Sequence, residues 1–158
     1  MSTRAISQLK RQNIPFEVVR YEHHAKGAVY AARATGFALE QTVKTLVVAL
    51  EEKQYRLALL PGHCQLDLKT FARVCGAKRA VMADTESAER LTGYRVGGIS
   101  PFGTRQNLPA VMEGMIEQFE TVLINAGQRG TMLKMAVRDI VQVLDCQVAT
   151  IAKTNRPD

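Results

Sequence analysis

The stretch from Lys44 to Leu60 constrains the fold of this chain most. A β-branched and leucine-rich run, Lys44 to Leu50, leads into the polar Glu51-Glu52-Lys53-Gln54. A second apolar run, Tyr55 to Leu60, follows and is closed by Pro61-Gly62. Two such runs across a short polar turn predict a β-hairpin. What surrounds the hairpin predicts short elements of both kinds. Ser2 to Lys10 reads as a helix with Ser2 or Thr3 as its cap and Ala5, Ile6 and Leu9 on one face, ended by Pro15. Phe16 to Tyr21 reads as a strand, Ala28 to Ala34 as a short helix ending at Gly36, and Leu39 to Val43 as a helical turn.

Asp67 can cap a helix through Leu68, Phe71 and Val74, stopped by Gly76. Asp84 can cap another, with Glu86 and Glu89 near its positive end and Gly93 after Leu91. Short strands are expected at Ala110 to Met112, Thr121 to Asn125 and Thr131 to Met135. A last amphipathic helix, Val137 to Leu144, is expected to bury Ile140, Val141 and Leu144. Strands and helices mixed without a regular βαβ rhythm predict an α/β (mixed α+β) domain with a mixed sheet. Its core is expected to draw on Val18, Leu46, Val48, Leu57, Leu59, Phe71, Ile99, Leu123 and Ile140. At 158 residues the chain is expected to form one domain, 1–158, and to bury roughly 70% of its unfolded surface.

Apolar runs such as Leu46 to Leu50 are far short of the ~20 residues that cross a bilayer. The N-terminal residues have no apolar signal segment, so a cytoplasmic location is expected. Lys and Arg number 21 against 15 Asp and Glu, a net charge of +6. That balance favours an anionic partner. The cations are scattered, so any nucleic-acid footprint must be assembled by folding. Three cysteines, Cys64, Cys75 and Cys146, have no C-x-x-C spacing and signal neither a disulfide framework nor a thiolate zinc site. His63 and Cys64 are adjacent, a poor geometry for a nucleophile pair on a strand.

The most unusual local sequence is Gly93 to Gly103, with four glycines, a serine and a proline in eleven residues. Its backbone N–H groups could approach a ligand oxygen closely, and a tight turn between strands explains the glycines equally well. Gly97-Gly98 fits neither a dinucleotide nor a P-loop pattern. Lys44, at the mouth of a strand, could aim its ammonium into a cleft or simply reach out to solvent. Glu22, His23 and His24 are too closely spaced to share one metal. Tyr21 could stack on a base or pack in the core, and Arg129 in Gly127-Gln128-Arg129-Gly130 could meet a phosphate or sit in a plain hairpin turn. No Ser/His/Asp set or close carboxylate pair is present.

Taken in order, these pieces resemble a known family. The stretches Tyr21-Glu22-His23, Val43 to Val48, Gln65 to Lys69, Met82-Ala83-Asp84 and Ala88 to Tyr94 carry the likeness. So do Val96 to Pro101, Gly127 to Gly130 and Leu144-Asp145. The chain resembles the YbaK/EbsC aminoacyl-tRNA editing domains, most of all the YbaK-type Cys-tRNA(Pro) deacylases, from about Ala5 to about Ala152. The resemblance implies a curved mixed sheet flanked by short helices. It also implies hydrolysis of the ester between a wrong amino acid and the 3′ end of a tRNA. Lys44, Gly97 and Gly98 are then expected to be catalytic. Tyr21, Thr45, Ile99, Ser100, Pro101 and Arg129 are expected to bind substrate. No metal or cofactor is implied.

The resemblance also implies that a cysteinyl ester uses its own thiol against its own carbonyl, a thiolactone-forming route. The three cysteines of the protein are then bystanders. The tRNA acceptor end is the expected partner, with prolyl-tRNA synthetase as a further one. After Gly-x-Arg-Gly, relatives often carry a polar or acidic residue near the next strand, where this chain has Thr131-Met132. Two rivals are a deacylase for another mischarged tRNA such as Ala-tRNA(Pro), distinguished by pocket volume, and a non-catalytic tRNA- or synthetase-binding module.

Overall fold

The structure, a computed structural model, describes residues 2–21 and 36–153. The hairpin forms as expected and is the centre of the sheet. Strand β2 (Thr42–Leu50) pairs antiparallel with β3 (Tyr55–Pro61). The other strands are β1 (Glu17–Arg20), β4 (Ala80–Met82), β5 (Ala110–Glu113), β6 (Thr121–Gln128), β7 (Thr131–Ala136) and β8 (Gln147–Ala149). Their order is β1-β7-β6-β2-β3-β5-β8, with β4 on β2 as well. The β6/β2, β3/β5 and β5/β8 pairs are parallel and the rest antiparallel, so the sheet is mixed.

The helices follow their sequence signals. Helix α1 (Arg4–Arg11) is capped by Thr3, whose hydroxyl accepts from the Ile6 N–H at 3.1 Å. In α2 (Leu68–Val74) Asp67 accepts from Thr70 N–H, and in α3 (Thr85–Thr92) Asp84 accepts from Ser87 N–H. Both are the short carboxylate caps that satisfy otherwise orphaned donors. Helix α4 (Val137–Leu144) has the expected bounds.

Side-chain alternation along the hairpin feeds a core on each face. Val43 and Leu59 join Leu9, Phe102, Met135 and Ile140 under α1 and α4. Val48, Ala58 and Leu60 join Phe71 and Ile151 under α2. Val47 and Leu57 meet Ala88 and Leu91 of α3. Beneath the second core lies Glu113, 2% exposed. Its carboxylate accepts from the N–H groups of Met115, Ile151 and Ala152, at 2.7, 2.9 and 2.9 Å, and so ties β5 to the C-terminal segment.

Several expectations need correction. Val18 is 36% exposed, not core, because β1 is an edge strand paired only with β7. Leu46 and Ile99 are half-buried beside the cleft described below. On α4 the buried stripe is Val137 and Ile140, one turn apart, while Val141 and Leu144 flank it half-buried. The helical turn expected at Leu39 to Val43 is a 3-10 turn over Leu39–Gln41, after which β-branched Thr42 and Val43 enter β2. The helix expected at Ala28 to Ala34 lies outside the described residues. Strands β4 and β8 were not anticipated; three residues each are too few for a periodicity. No helix of the described residues is long and apolar enough to cross a membrane.

Candidate active site

The sheet is interrupted beside β2. Parallel pairing with β6 covers Thr42 and Val43 only, and β4 takes up pairing again at Val48. Between them Lys44 to Val47 have β3 on one side and no strand on the other. The even residues of β2 bond toward β3, as the Gly62 N–H to Thr42 carbonyl and Leu50 N–H to Gln54 carbonyl bonds fix. The odd residues point the other way, as the Ala83 N–H to Val47 carbonyl bond confirms. Alternation therefore turns the peptide groups of Thr45 into the gap. The Thr45 hydroxyl is also buried, with no hydrogen-bond partner among the described residues. Buried polar groups are normally paired, so this hydroxyl is placed to bond a group that enters the gap.

A cleft of about 320 Å³ occupies this gap. Lys44, Thr45 and Tyr21 line it, with Gly97 and Ile99 from the glycine loop. Burial pulls the Lys44 ammonium below the ordinary lysine pKa, partly opposed by the nearby Cys64 sulfur. Cys64 itself is buried outside the cleft lining, with Sγ 3.6 Å from His63 Nε2 and 3.9 Å from Met115 Sδ. Burial, with the Glu113 carboxylate adding to it and Lys44 opposing, holds the thiol above its ordinary pKa. It is therefore a neutral thiol rather than an activated nucleophile.

The glycine loop is pinned by its neighbours. Thr92 Oγ1 accepts from Tyr94 N–H at 3.1 Å and donates to the Ala88 carbonyl. The buried Tyr94 hydroxyl donates to the Phe102 carbonyl at 2.5 Å, and burial lifts its pKa to about 12. Glu89 accepts from Val96 N–H at 2.8 Å. Residues Arg95 to Gly98 form a β-turn closed by the Gly98 N–H on the Arg95 carbonyl at 2.9 Å. Gly97 sits at its third position with φ 97°, where such turns favour glycine.

The nine sequence-derived candidates separate in space. Tyr21, Lys44, Thr45, Gly97 and Ile99 converge on the cleft. Gly98 does not line it, and its N–H is spent in the turn, so of the two expected glycine donors only Gly97 remains there. Gly98 and Arg129 line an adjoining groove. Ser100 is fully buried and its hydroxyl accepts from Phe102 N–H at 3.3 Å, bracing the loop. Pro101 lines a separate hollow beside α1. Glu22, His23 and His24 lie outside the described residues.

Asn125 was read only as the end of a strand, yet it lines the cleft. Its Oδ1 accepts from the N–H groups of Gly127 and Gln128 at 2.7 and 3.1 Å, across the bulge where the β6/β7 register shifts. Its amide nitrogen makes no hydrogen bond among the described residues. An asparagine two residues before a glycine at a strand end is an Asx-turn signal that could have drawn notice. Opposite Asn125 on β7 stands Met132, 4% exposed. With Met82, Val96 and Ile99 it gives the cleft an apolar wall. No Cys, His, Asp or Glu lines the cleft among the described residues.

The model of the family described as "Aminoacyl-tRNA editing domain" matches residues 22–143. The chain is 28% identical to a protein of Enterococcus faecalis named for Cys-tRNA(Pro)/Cys-tRNA(Cys) deacylation, EbsC, over 94% of this chain and 92% of that one. It is 30% identical to the multifunctional Ser/Thr-tRNA deacylase ProXp-y of Escherichia coli K12, over 96% and 92%. A crystal structure described as a trans-editing enzyme for prolyl tRNA synthetase superposes with a TM-score of 0.88 at 26% identity, covering 96% of each chain. The β2 cleft and glycine loop thus sit in a chain that belongs to the aminoacyl-tRNA editing domain family.

Proposed function

We propose that this protein deacylates mischarged tRNA in trans, with Cys-tRNA(Pro) as its preferred substrate. One observation carries the reading. Among the described residues the cleft collects Lys44 and Asn125 beside the open edge of Thr45, and no carboxylate, imidazole or thiol. Such a site can hold an ester and stabilise an oxyanion, and it leaves attack to the substrate or water. A cysteinyl ester brings its own thiol. Sulfur bonds to the carbonyl carbon, the ester C–O bond breaks, and the thiol proton passes to the departing ribose oxygen. Water then opens the thiolactone to free cysteine. Lys44 and the Gly97 N–H face the carbonyl oxygen in this scheme, and Tyr21 walls the pocket.

The volume, about 320 Å³, lies at the small end of ligand sites. Its apolar wall of Met82, Val96, Ile99 and Met132 suits a thiol or a methyl group. A hydroxyl there would lose its water partners for little return, so serine and threonine fit less well. The relatives named for Cys-tRNA(Pro) and for prolyl-tRNA synthetase editing support the tRNA and synthetase as partners.

The test is deacylation of Cys-, Ala- and Ser-tRNA(Pro) by the wild type and Lys44→Ala. Preferential loss of the cysteinyl ester, falling by about 10²-fold or more in the variant, is expected. Preference for alanine would move the substrate. No turnover of any ester, with tRNA binding intact, would make the protein a binding module. Loss of turnover on replacing all three cysteines in a folded variant would refute the substrate-assisted route.

A further inference from the structure

The cleft does not end at the glycine turn. Val96 lines both the cleft and a second groove of about 420 Å³ on the far side of the Arg95–Gly98 turn. This groove runs between that turn and the Gly127–Arg129 corner of the β6/β7 hairpin, and it carries Arg95 and Arg129. Neither arginine pairs with a carboxylate among the described residues. The carboxylate of Glu89, on α3, accepts from the Val96 N–H of the turn. Arg129 is half-buried, and its guanidinium lies across Gly97, with Nη2 2.9 Å from where a Cβ would stand. A guanidinium held against backbone keeps a fixed fork, the geometry that matches a phosphate.

Resting on the proposed deacylase reading, we infer that this groove takes the phosphates of the single-stranded RNA just upstream of the terminal nucleotide. The ester is on the last nucleotide, so the strand must leave the cleft across its rim. Val96 and Gly97 form that rim, and the arginines stand directly beyond it. A larger basic hollow exists at Arg4, Arg11 and Arg105, but it shares no lining residue with the cleft. A strand whose end sits at Lys44 has no continuous path from the cleft into it. Arg129 thereby gains a role separate from the ester: it and Arg95 set the direction of approach.

The experiment is equilibrium binding of uncharged tRNA as a function of salt. The proteins are wild type, Arg95→Gln, Arg95→Gln/Arg129→Gln, Arg129→Lys and, for the other hollow, Arg4→Gln/Arg11→Gln. Each phosphate contact to a single strand contributes about 0.7 to the log–log salt slope. The groove double variant should lose about 1.4, Arg95→Gln about 0.7, and the charge-preserving Arg129→Lys almost nothing. A tRNA lacking its last four nucleotides should bind wild type and the groove variants alike. An unchanged slope in the groove double variant overturns the inference. So does an equal loss in the Arg4/Arg11 variant, or a difference that survives truncation of the 3′ end. Arg95 is exposed, so its single variant reads the effect even if Arg129→Gln disturbs the turn. Uncharged tRNA keeps the result independent of turnover: a protein that binds as expected but hydrolyses no ester would sink the deacylase reading alone.

Discussion

Replacing Gly98 by alanine separates crowding from backbone strain. The φ of Gly98 is not among the positive ones, so alanine there is conformationally permitted. The added Cβ would stand 3.0 Å from the Arg129 nitrogen, 3.2 Å from the Gln128 carbonyl carbon and 3.3 Å from its Cα. All three are backbone atoms, so no side chain can swing away. To reach ordinary contact the glycine turn must retreat from the hairpin by about 0.4 Å. Overpacking of this kind costs about 1–3 kcal/mol, and each kcal/mol lowers Tm by about 2–4 °C in a chain of this size. The turn also carries Gly97 into the cleft, and a 1 Å misplacement of a reacting centre costs about 10²-fold in rate. A few tenths of an ångström should then cost on the order of tenfold in kcat/KM.

The assays are thermal unfolding followed by circular dichroism and single-turnover deacylation. Two other glycines calibrate the result. At Gly114 a Cβ meets nothing nearer than 3.8 Å, and alanine should leave stability unchanged or raise it by up to about 1 kcal/mol. At Gly127 φ is 100° and Tyr94 Cε1 would be 2.5 Å away, so alanine should do the most damage of the three. Wild-type melting and rate in Gly98→Ala, or a loss in Gly114→Ala as large, would refute the account of how the cleft wall is held.

Asn125→Asp keeps the oxygen that accepts from Gly127 and Gln128 but removes the amide donor of a cleft-lining residue; Tm should hold while kcat falls by about 10²–10³-fold, and an unaltered kcat would remove Asn125 from the mechanism. Because burial lowers the pKa of Lys44, the ammonium should be lost on an alkaline limb of kcat/KM centred below 10.5, and Lys44→Arg should abolish that limb; a midpoint at or above 10.5 would contradict the buried placement. The same shift has a sign for stability: between its folded and unfolded pKa values Lys44 binds a proton only when unfolded, so its contribution rises with pH across that window, and titrating unfolding of wild type against Lys44→Met should expose it. Glu113→Gln turns an amide NH₂ toward at least one of three backbone donors and should cost about 1–3 kcal/mol in urea unfolding; an unchanged midpoint would mean the segment at Ile151 is not held by this carboxylate.

Local signals carried most of the fold. Asp67, Asp84 and Thr3 declare their helices because caps act within four residues, and the Lys44 to Leu60 hairpin is a contiguous pattern. What escaped depends on distant pieces. β4 and β8 are strands only because β2 and β5 are there to pair with. Val18 satisfies the alternation of a buried strand and is exposed because β1 falls at an edge, which alternation cannot encode. In the site, Lys44 and Gly97 stood out by residue type and by resemblance. Asn125, Met82 and Val96 did not, since each joins the cleft through the place where β6 and β4 leave β2 uncovered. Ser100 and Pro101 lie in the distinctive loop, yet they face its supports rather than its ligand side.

The uncovered stretch of β2 also bears on how the protein keeps its own kind away. An unpaired strand edge is ordinarily a template onto which another chain can add. Here only four residues, Lys44 to Val47, lie between β6 and β4, a slot of about 13 Å at the rise of an extended strand. Paired strands on both sides block the register a foreign strand would need to extend its ladder. The gap therefore exposes peptide groups to something the size of a nucleoside ester while remaining too short to seed aggregation. A mutation that unpaired β4, such as Val81→Pro, would roughly double the slot and should reveal itself first as concentration-dependent self-association.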